Sequence, residues 1–392
     1  MNEPTPKPIP LRELAALFLR LGLTAFGGPA AHIAMMQEEV VERRQWLTKE
    51  QFLDLLGAAN LLPGPSSTEV ALYIGYRQAG GIGILLAGVG FILPAFLMVM
   101  GLAWAYVRFG HLPQVTGVLY GIKPVVIAVI LQALWNLGRT ALKSKFLAGI
   151  GLAALPLAFF GVSPLLLLLG AGVLVGGGRW VKEKRQESLK PLLTLLSIVL
   201  AFVMAILAFT HYSAPSSTLG LRPLFLVFLK LGSVVYGSGY VLLAFLRADL
   251  VTQRFWLTPA QLLDSVAVGQ VTPGPVFTTA TFIGYVLAGP KGAIVATLGI
   301  FLPAFLLVGV SGPFLSRLRQ SSLTGAFLDG VNVAALALMA VVSWQLGRAA
   351  LVDAVTVALA SLSALLLLRY RVNSAWLVLG GAVAGIAATL LK

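Results

Sequence analysis

The sequence contains no cysteine, only three histidines and little charge for its length. Without cysteine, the chain cannot form disulfides, thiolate metal sites, iron–sulfur clusters or a cysteine nucleophile. No glycine-rich dinucleotide fingerprint follows a strand and opens a helix, so we expect no metal and no organic cofactor. Residues 1–10 are polar and proline-rich and lack a signal-peptide pattern, so we expect the hydrophobic helices themselves to direct the chain to a membrane.

The low charge is matched by long apolar runs. Hydrophobic residues make up 58% of the chain and charged residues 11%, whereas a soluble protein carries about 25% charged residues to cover its core. Residues 83–106 and 146–175 contain no charged residue, and about 20 apolar residues suffice to cross a bilayer. The sequence therefore predicts an all-α polytopic membrane protein whose partner is the lipid bilayer.

The net charge of +14 does not indicate a nucleic-acid partner. A nucleic-acid-binding protein gathers its lysines and arginines on one soluble face. Here they are scattered between hydrophobic segments, where they act as signals of membrane topology.

The chain consists of two similar halves, related by an offset of about 210 residues. The matches fall on glycines, prolines and tryptophans, where chance agreement is rare. They include Trp46-Leu47-Thr48 with Trp256-Leu257-Thr258, Pro63-Gly64-Pro65 with Pro273-Gly274-Pro275, and Leu93-Pro94-Ala95-Phe96 with Leu302-Pro303-Ala304-Phe305. We therefore predict a short cytoplasmic tail (1–10), a first repeat (11–180), a basic loop with a linking helix (181–221) and a second repeat (222–392).

Each repeat contains six hydrophobic segments, which with the linking segment 191–210 gives about 13. They lie near 11–36, 51–76, 83–107, 114–138, 146–160 and 163–178, and near 222–246, 261–287, 292–311, 325–346, 353–368 and 374–391. Six plus one is odd, so the second repeat is expected to be inverted relative to the first. This parity holds whether the interrupted segments cross the membrane or are re-entrant.

The distribution of basic residues supports the inversion. With the N-terminus cytoplasmic, seventeen lysines and arginines fall on the inner side and eight on the outer side, and Arg43, Arg44 and Lys49 are among the eight. Inverted repeats are the usual plan of secondary transporters, which bind substrate near the bilayer midplane between the repeats.

Three basic residues fall inside the segments: Arg20, Lys230 and Lys123. A charge near the bilayer centre costs roughly 2.5–3.5 kcal/mol on insertion scales, so such residues are usually functional. Arg20 and Lys230 occupy the same repeat position, and inversion could bring them to one cavity as substrate-binding charges. The alternative is a side chain that reaches out to the membrane surface, and for Lys123 both interpretations stay open.

Four breaks interrupt the first two segments of the repeats. Their glycines and prolines loosen a helix, and irregular backbone at membrane depth is tolerated where it is buried in protein or lines a cavity. Hydroxyl residues of N-cap type follow each Pro-Gly-Pro, and a helix N-terminus there favours an anion. A simple proline kink is the alternative. The candidate substrate-binding residues are Gly27, Gly28, Gly237, Gly239, Pro63, Gly64, Ser66, Ser67, Thr68, Pro273, Gly274, Thr278 and Thr279.

Two further residues are candidates for coupling to protons. Glu69 follows the hydroxyl cluster directly, and its repeat partner is Thr279. A structural ion pair is the alternative for Glu69, and a hydrogen-bonded core position is the alternative for His32. With Arg20, Lys230 and two helix N-termini, the tally of charge is roughly +3, or +2 if Glu69 is ionised, which suits a small dianion.

These motifs resemble the chromate ion transporter family in its long form, with two fused homologous domains. The resemblance rests on residues 26–32, 62–69, 75–76, 90–96 and 272–275, and it spans nearly the whole chain. It implies efflux of chromate across the bacterial inner membrane, which lowers cytoplasmic chromate and confers resistance. The second half departs from the first in having Gly237-Ser238-Gly239 for Gly-Gly-Pro and Thr279 for Glu69, so we expect each half to have its own role.

We therefore expect a secondary active transporter that moves a tetrahedral dianion outward by alternating access. Chromate and sulfate have the same shape and charge, so a transporter of sulfate or another oxyanion is an alternative, as is a passive anion channel on the same scaffold. An intramembrane enzyme such as a chromate reductase lacks its usual motifs, and a binding-only sensor lacks a soluble output domain. We expect a multi-pass protein of the bacterial plasma (inner) membrane and leave a homodimer open.

Overall fold

The computed structural model describes residues 9–110, 112–182, 204, 208, 219–236, 239–313, 322–370 and 372–390. Within these residues the secondary structure is entirely helical. The predicted linking segment 191–210 lies outside the described residues apart from two single positions, and Gly237 lies outside them as well. The all-helical part of the fold prediction is confirmed.

The described residues contain fourteen α-helices, seven in each half. Those of the first half are α1 (Leu11–Thr24), α2 (Gly28–Gln37), α3 (Lys49–Ala59), α4 (Ser66–Phe109), α5 (Pro113–Ala141), α6 (Lys145–Phe159) and α7 (Pro164–Lys182). Those of the second half are α8 (Leu221–Val234), α9 (Leu242–Leu246), α10 (Pro259–Val271), α11 (Thr279–Ser311), α12 (Ser322–Ala350), α13 (Ala354–Arg369) and α14 (Ser374–Leu390). Two π-helices extend α2 and α9, at Glu38–Arg43 and Arg247–Gln253. Short 3₁₀ turns occupy Gly239–Val241 and Val276–Thr278.

The first and second helices of each half form an antiparallel hairpin rather than a continuous span. Arg44 Nη1 lies 2.6 Å from Glu13 Oε1, so the end of the α2 extension returns to the start of α1. One turn nearer the break, Arg20 pairs with Glu39. Arg43 and Arg44 therefore lie on the same side as Glu13 and the start of α1, and the sequence-based placement of Arg43, Arg44 and Lys49 on the opposite side from the N-terminus was wrong.

The third helix and the start of the fourth form a second hairpin. Gln78 Nε2 donates to the carbonyl of Trp46 at 3.4 Å, which brings the end of this stretch back to the residues before α3. The chain then reverses at Ala79 and Gly80, and Gly80 has a φ of 59° that favours glycine. We call the parts before and after this reversal α4a (66–78) and α4b (81–109). The same reversal at Ala288 and Gly289 divides α11 into α11a (279–287) and α11b (290–311).

The two halves share one core. The long helix α5 packs on α13 and α14 of the second half, and α12 packs on α6 and α7 of the first. These contacts run through small residues, with Gly121 against the backbone of Gly381 and Gly330 against that of Ala171. Both halves therefore build the same hydrophobic cluster, so the residues between them are held in one rigid setting.

Among the described residues, four stretches are long and apolar enough to cross a membrane: Ser66–Phe109, Gln114–Ala141, Val276–Ser311 and Gly325–Ala350. Four shorter apolar helices accompany them, at Lys145–Phe159, Pro164–Arg179, Ala354–Arg369 and Ser374–Leu390. Their outward faces expose large apolar side chains such as Leu152, Leu166, Trp344 and Trp376. These are the properties of a multi-pass membrane protein.

Candidate functional site

The two Pro-Gly-Pro loops meet the first breaks, and they do so across the halves. The amide of Gly64 donates to the carbonyl of Val235 at 2.7 Å, and the amide of Gly274 donates to that of Ala25 at 2.9 Å. Ala25 and Val235 are the residues at which α1 and α8 end. Each half therefore holds the break of the other, and the breaks form one buried junction.

Further contacts close this junction. Gly28 lies against Tyr240, and a methyl group added at Gly28 would lie 3.1 Å from the Tyr240 hydroxyl. Gly239 faces Pro29, with 3.6 Å between the ring of Pro29 and a methyl group added at Gly239. Glycine at 28 thus allows an aromatic side chain of the second half to approach the backbone of the first break. We call this place, where both Pro-Gly-Pro loops contact the first breaks, the break junction.

The first-half side of the break junction carries buried polar groups without partners. Glu69 is fully buried, and neither of its carboxylate oxygens has a hydrogen-bond partner among the described residues. Its Oε1 points back over the Pro-Gly-Pro loop, because a methyl group added at Gly64 would lie only 2.5 Å from it. Thr68 Oγ1 is also buried without a partner among the described residues. Groups of this kind are costly to bury unless a ligand, a water or a proton satisfies them.

His32 and Ser67 lie beside these groups. His32 is buried, its Nδ1 lies 3.4 Å from Ser67 Oγ, and its ring packs edge-on against Phe91. The helix α4 begins at Ser66, and its N-cap residue is Pro65, which has no side-chain hydrogen bond to offer. The predicted N-cap role of Ser66, Ser67 and Thr68 was therefore wrong, because these residues form the first turn of the helix itself.

Three residues of this region escaped the sequence analysis. Tyr73 donates its hydroxyl to Ser311 Oγ at 2.7 Å, because the Ser311 hydroxyl is itself donated to the carbonyl of Leu307. Tyr240 donates to Gln270 Oε1 at 3.3 Å, and Gln270 Nε2 is buried without a partner among the described residues. Tyr240 directly follows Gly239, and Gln270 lies three residues before Pro273, so position next to a break was the available signal.

The second-half side of the junction is closed by its own hydrogen bonds. Thr278 donates its hydroxyl to the carbonyl of Pro275, and Thr279 donates to that of Val276, both at 2.8 Å. Both threonines are fully buried. The two Pro-Gly-Pro loops thus occupy equivalent places. Among the described residues, Thr68 and Glu69 directly after the first loop lack partners, whereas on the second-half side of the junction the unsatisfied atom is Gln270 Nε2, which comes before the loop.

The three bases that fall inside the hydrophobic segments are each paired with a carboxylate; Arg20 is exposed, and Lys230 and Lys123 are partly buried. Arg20 pairs with Glu39, Lys230 Nζ lies 3.0 Å from Asp249 Oδ2, and Lys123 Nζ lies 2.9 Å from Asp264 Oδ1. These pairs cancel the positive charge that Arg20 and Lys230 contributed to the expected tally. That tally therefore has to be revised, and the junction depends on backbone amides and neutral side chains for its attraction to an anion.

The Lys123 pair also joins the halves. Lys123 lies on α5 and Asp264 on α10, and Tyr106 of α4b donates to Asp264 Oδ2 at 3.0 Å. Asp264 is buried in the middle of α10. A buried ion pair of this kind fixes how two elements sit against each other, and removing one partner leaves an uncompensated charge.

Comparison with known proteins gives one family. The chromate transporter family model matches residues 12–176 and 222–386, one match in each half. The chromate transport protein of Cupriavidus metallidurans is 35% identical over 96% of this chain and 93% of its own length. The probable chromate transport protein of Synechococcus elongatus is 35% identical over 88% of this chain and 86% of its own. The chromate transport protein of Pseudomonas aeruginosa is 33% identical over 98% of this chain and 94% of its own length.

No solved structure matches the chain. The family matches cover both halves and include both Pro-Gly-Pro loops and the junction residues around them. The protein belongs to the chromate transporter family.

Proposed function

We propose that this protein is a secondary active transporter that exports chromate across the bacterial inner membrane. The observation that carries the proposal is the buried junction of helix breaks in a chain of this family. The names of the three relatives, all chromate transport proteins, support chromate as the transported ion. Broken helices at the repeat interface are where secondary transporters hold their substrates.

The proposed topology is inverted and uses four crossings in each repeat. The hairpins α1–α2 and α3–α4a return to the side on which they start, and α4b, α5, α6 and α7 cross. A linking segment then places the second repeat, α8–α14, upside down. With the hairpins re-entrant, Arg43, Arg44 and Lys49 move to the inner side and Arg247 and Arg254 to the outer side, which increases the excess of inner basic residues.

The substrate site in this proposal is the break junction. A tetrahedral oxyanion needs hydrogen-bond donors, and the first turn of α4 offers backbone amides at the positive end of a helix. The hydroxyls of Ser67 and Thr68 and the amide of Gln270 add neutral donors from both halves. The glycines at 64 and 274 let the loops approach the opposite breaks closely enough to enclose the ion.

Glu69 is the proposed coupling residue. An ionised carboxylate in the same small site would repel a dianion, so we propose that the oxyanion binds when Glu69 carries a proton. His32 lies beside Ser67 as the neighbouring titratable group, and the phenols of Tyr73 and Tyr236 lie within electrostatic range of Glu69. The expected consequence is that oxyanion and proton bind cooperatively.

The outward direction has an electrical basis. Moving one elementary charge through 100 mV is worth about 2.3 kcal/mol, so the interior-negative potential favours the exit of a dianion by about 4.6 kcal/mol per 100 mV. If one proton accompanies the ion, one net negative charge leaves per cycle. Export driven in this way lowers the cytoplasmic concentration without a chemical reaction on the ion.

Transport by the purified protein in proteoliposomes tests this proposal. Chromate and sulfate are offered in parallel while the membrane potential and the pH gradient are set independently. We expect saturable chromate flux that responds to both gradients and is competed by sulfate. Flux that does not saturate and ignores the pH gradient would instead establish a passive channel, and a preference for sulfate over chromate would establish a sulfate transporter on the same scaffold.

A further inference from the structure

A polar cavity lies between residues of the two halves, and its lining includes none of the break-junction residues described above. It has a volume of about 260 Å³ and is bounded by the turn between α6 and α7, the π-helix 247–253 and one face of α12. Pockets for drug-sized ligands occupy about 300–1,000 Å³, so this cavity suits a small ion with some of its water.

Arg247 is the one charged residue in the lining of this cavity. It is half-buried, and it makes no hydrogen bond or ion pair within the part of the chain that the structure describes. The nearest carboxylate in sequence, Asp249, does not line the cavity and is held by Lys230 at 3.0 Å and Arg254 at 3.9 Å. The guanidinium of Arg247 therefore faces the cavity with its charge unneutralised.

The remaining polar groups of the lining are neutral. Ser163, Thr252, Gln253 and Gln345 contribute two hydroxyls and two amides, and none of these side chains makes a hydrogen bond within the described residues. Several donors around one cation match the acceptor oxygens of a tetrahedral oxyanion, and an arginine fork suits such oxygens geometrically. The first turn of α7, beginning at Pro164, adds the positive end of a helix to the same wall.

The corresponding region of the first half has the opposite charge. There Arg20, Arg43 and Arg44 form ion pairs with Glu13, Glu38 and Glu39, and Glu42 lies in the same π-helix. At the same repeat offset, Glu38 and Glu42 become Ala248 and Thr252, and both of these line the cavity. The loss of the acidic residues coincides with the appearance of a polar cavity around an unpaired arginine.

We propose that the Arg247 cavity is a second binding site for a tetrahedral oxyanion group. In the proposed topology it lies at the outer mouth, where an exported ion leaves the protein, and this role rests on the proposed function. The site itself rests on the cavity and its side chains. The same oxygens are carried by a free dianion and by the phosphate of an anionic lipid, so the test separates these two sources.

A single-cysteine reporter measures occupancy directly, because the chain contains no cysteine. Ala248 lines the cavity, and in Ala248→Cys the rate of maleimide labelling is followed in full-length protein in neutral phosphatidylcholine nanodiscs. Sulfate serves as the probe because chromate would oxidise the thiol. We expect saturating sulfate to slow labelling at least threefold. Adding Arg247→Gln should raise the half-protecting concentration about tenfold, and Arg247→Lys should restore part of the protection.

Arg348→Gln is the matched control. Arg348 is an exposed cation near the end of α12 that makes no hydrogen bond or ion pair within the described residues, and its removal makes the same charge change outside the cavity. Protection should persist in this variant. Labelling that is insensitive to sulfate, and also to phosphatidylglycerol in the nanodiscs, would overturn the site. Protection by phosphatidylglycerol alone, lost in Arg247→Gln, would establish the lipid phosphate as the occupant.

The transport assay keeps this proposal separate from the preceding one. Protection that depends on Arg247, in a protein that moves no chromate, would leave the site standing and refute the proposed function. Chromate transport in a protein whose labelling is insensitive to sulfate and to phosphatidylglycerol would support the proposed function and refute the Arg247 site. If both proposals hold, Arg247→Gln should raise the half-saturating chromate concentration severalfold, with little change in maximal rate.

Discussion

The two Pro-Gly-Pro loops have the same backbone setting and different side-chain chemistry. Each donates one glycine amide to the break of the other half, Gly64 to Val235 and Gly274 to Ala25. In the second half the hydroxyls of Thr278 and Thr279 donate hydrogen bonds to backbone carbonyls of their own loop. In the first half the side chains of Thr68 and Glu69 have no partner among the described residues. Both halves thus build the enclosure, but the unsatisfied side chains after the loop belong to the first half, and the second half contributes Gln270 Nε2 before its loop.

The largest expected effect is at Glu69. Glu69→Gln keeps the shape of the side chain and removes the proton that we propose binds with the oxyanion, so chromate transport in proteoliposomes should fall at least about tenfold and lose its dependence on the pH gradient. Glu42→Gln is the matched control, because Glu42 is exposed and lies in the first-half π-helix. Transport by Glu69→Gln at the wild-type rate, with wild-type pH dependence, would remove Glu69 from the mechanism.

Substitutions at the equivalent glycines, Gly64 and Gly274, should have the next largest effects. In Gly64→Ala the added methyl group meets the movable carboxylate of Glu69 at 2.5 Å, so transport per folded molecule should fall about tenfold. In Gly274→Ala it meets Ala95 at 2.7 Å. The φ values of 142° at Gly64 and 92° at Gly274 strain any L residue, so both variants should lose about 1–2 kcal/mol of stability, and only Gly64→Ala should also lose transport per folded molecule.

Thermal unfolding and transport measured on both glycine variants separate the two effects. Equal transport loss per folded molecule in Gly64→Ala and Gly274→Ala would show that the two loops are equivalent in function, against the asymmetry described above.

Substitutions at Thr68 and Thr278 should have smaller effects, the first on the affinity for chromate and the second on stability. Thr68→Val removes a buried hydroxyl without a partner, so the protein should keep or gain stability while its half-saturating chromate concentration rises severalfold. Thr278→Val breaks a backbone hydrogen bond, so it should lose about 0.5–1.5 kcal/mol of stability and keep its apparent affinity. Denaturation midpoints and transport kinetics measured together check this, and a loss of affinity confined to Thr278→Val would contradict the assignment.

The smallest effects are expected at the two equivalent ion pairs. In Arg20→Gln the partner Glu39 keeps Arg43 and Arg44, so transport at matched expression should change less than threefold. In Lys230→Gln the buried Asp249 keeps only Arg254 at 3.9 Å, so the yield of folded protein should fall more. If both variants fold in normal yield but do not transport chromate, Arg20 and Lys230 belong to the substrate site after all.

The sequence predicted the repeat and the breaks correctly because glycine and proline impose local backbone constraints that can be recognised in one copy and checked in the other. That the breaks of the two halves meet is a finding of the structure, in the hydrogen bonds donated by the amides of Gly64 and Gly274. The sequence did not decide between hairpins and continuous spans, because apolar segments with a break look alike in both arrangements. Only long-range pairs such as Glu13 with Arg44 reveal the return.

The partners of the bases were missed although a signal existed. Arg20 and Glu39 stand nineteen residues apart, as do Lys230 and Asp249, so each half repeats a base with its acid at the same spacing. Asp264 gave no such signal, because its pairing with Lys123 depends on how α5 of one half packs on α10 of the other. Contacts between the halves depend on side-chain packing across a surface and are not encoded in local spacing.

Proton uptake on anion binding tests the central claim most directly. Sulfate is added to the purified full-length protein in weakly buffered solutions over a range of starting pH, up to values at which Glu69 is ionised in the free protein, and the change in pH is recorded with wild type, Glu69→Gln and His32→Asn. The account predicts uptake of up to about one proton per bound oxyanion in wild type and in His32→Asn, and none in Glu69→Gln. Anion binding without proton uptake in wild type, or undiminished uptake in Glu69→Gln, would contradict it.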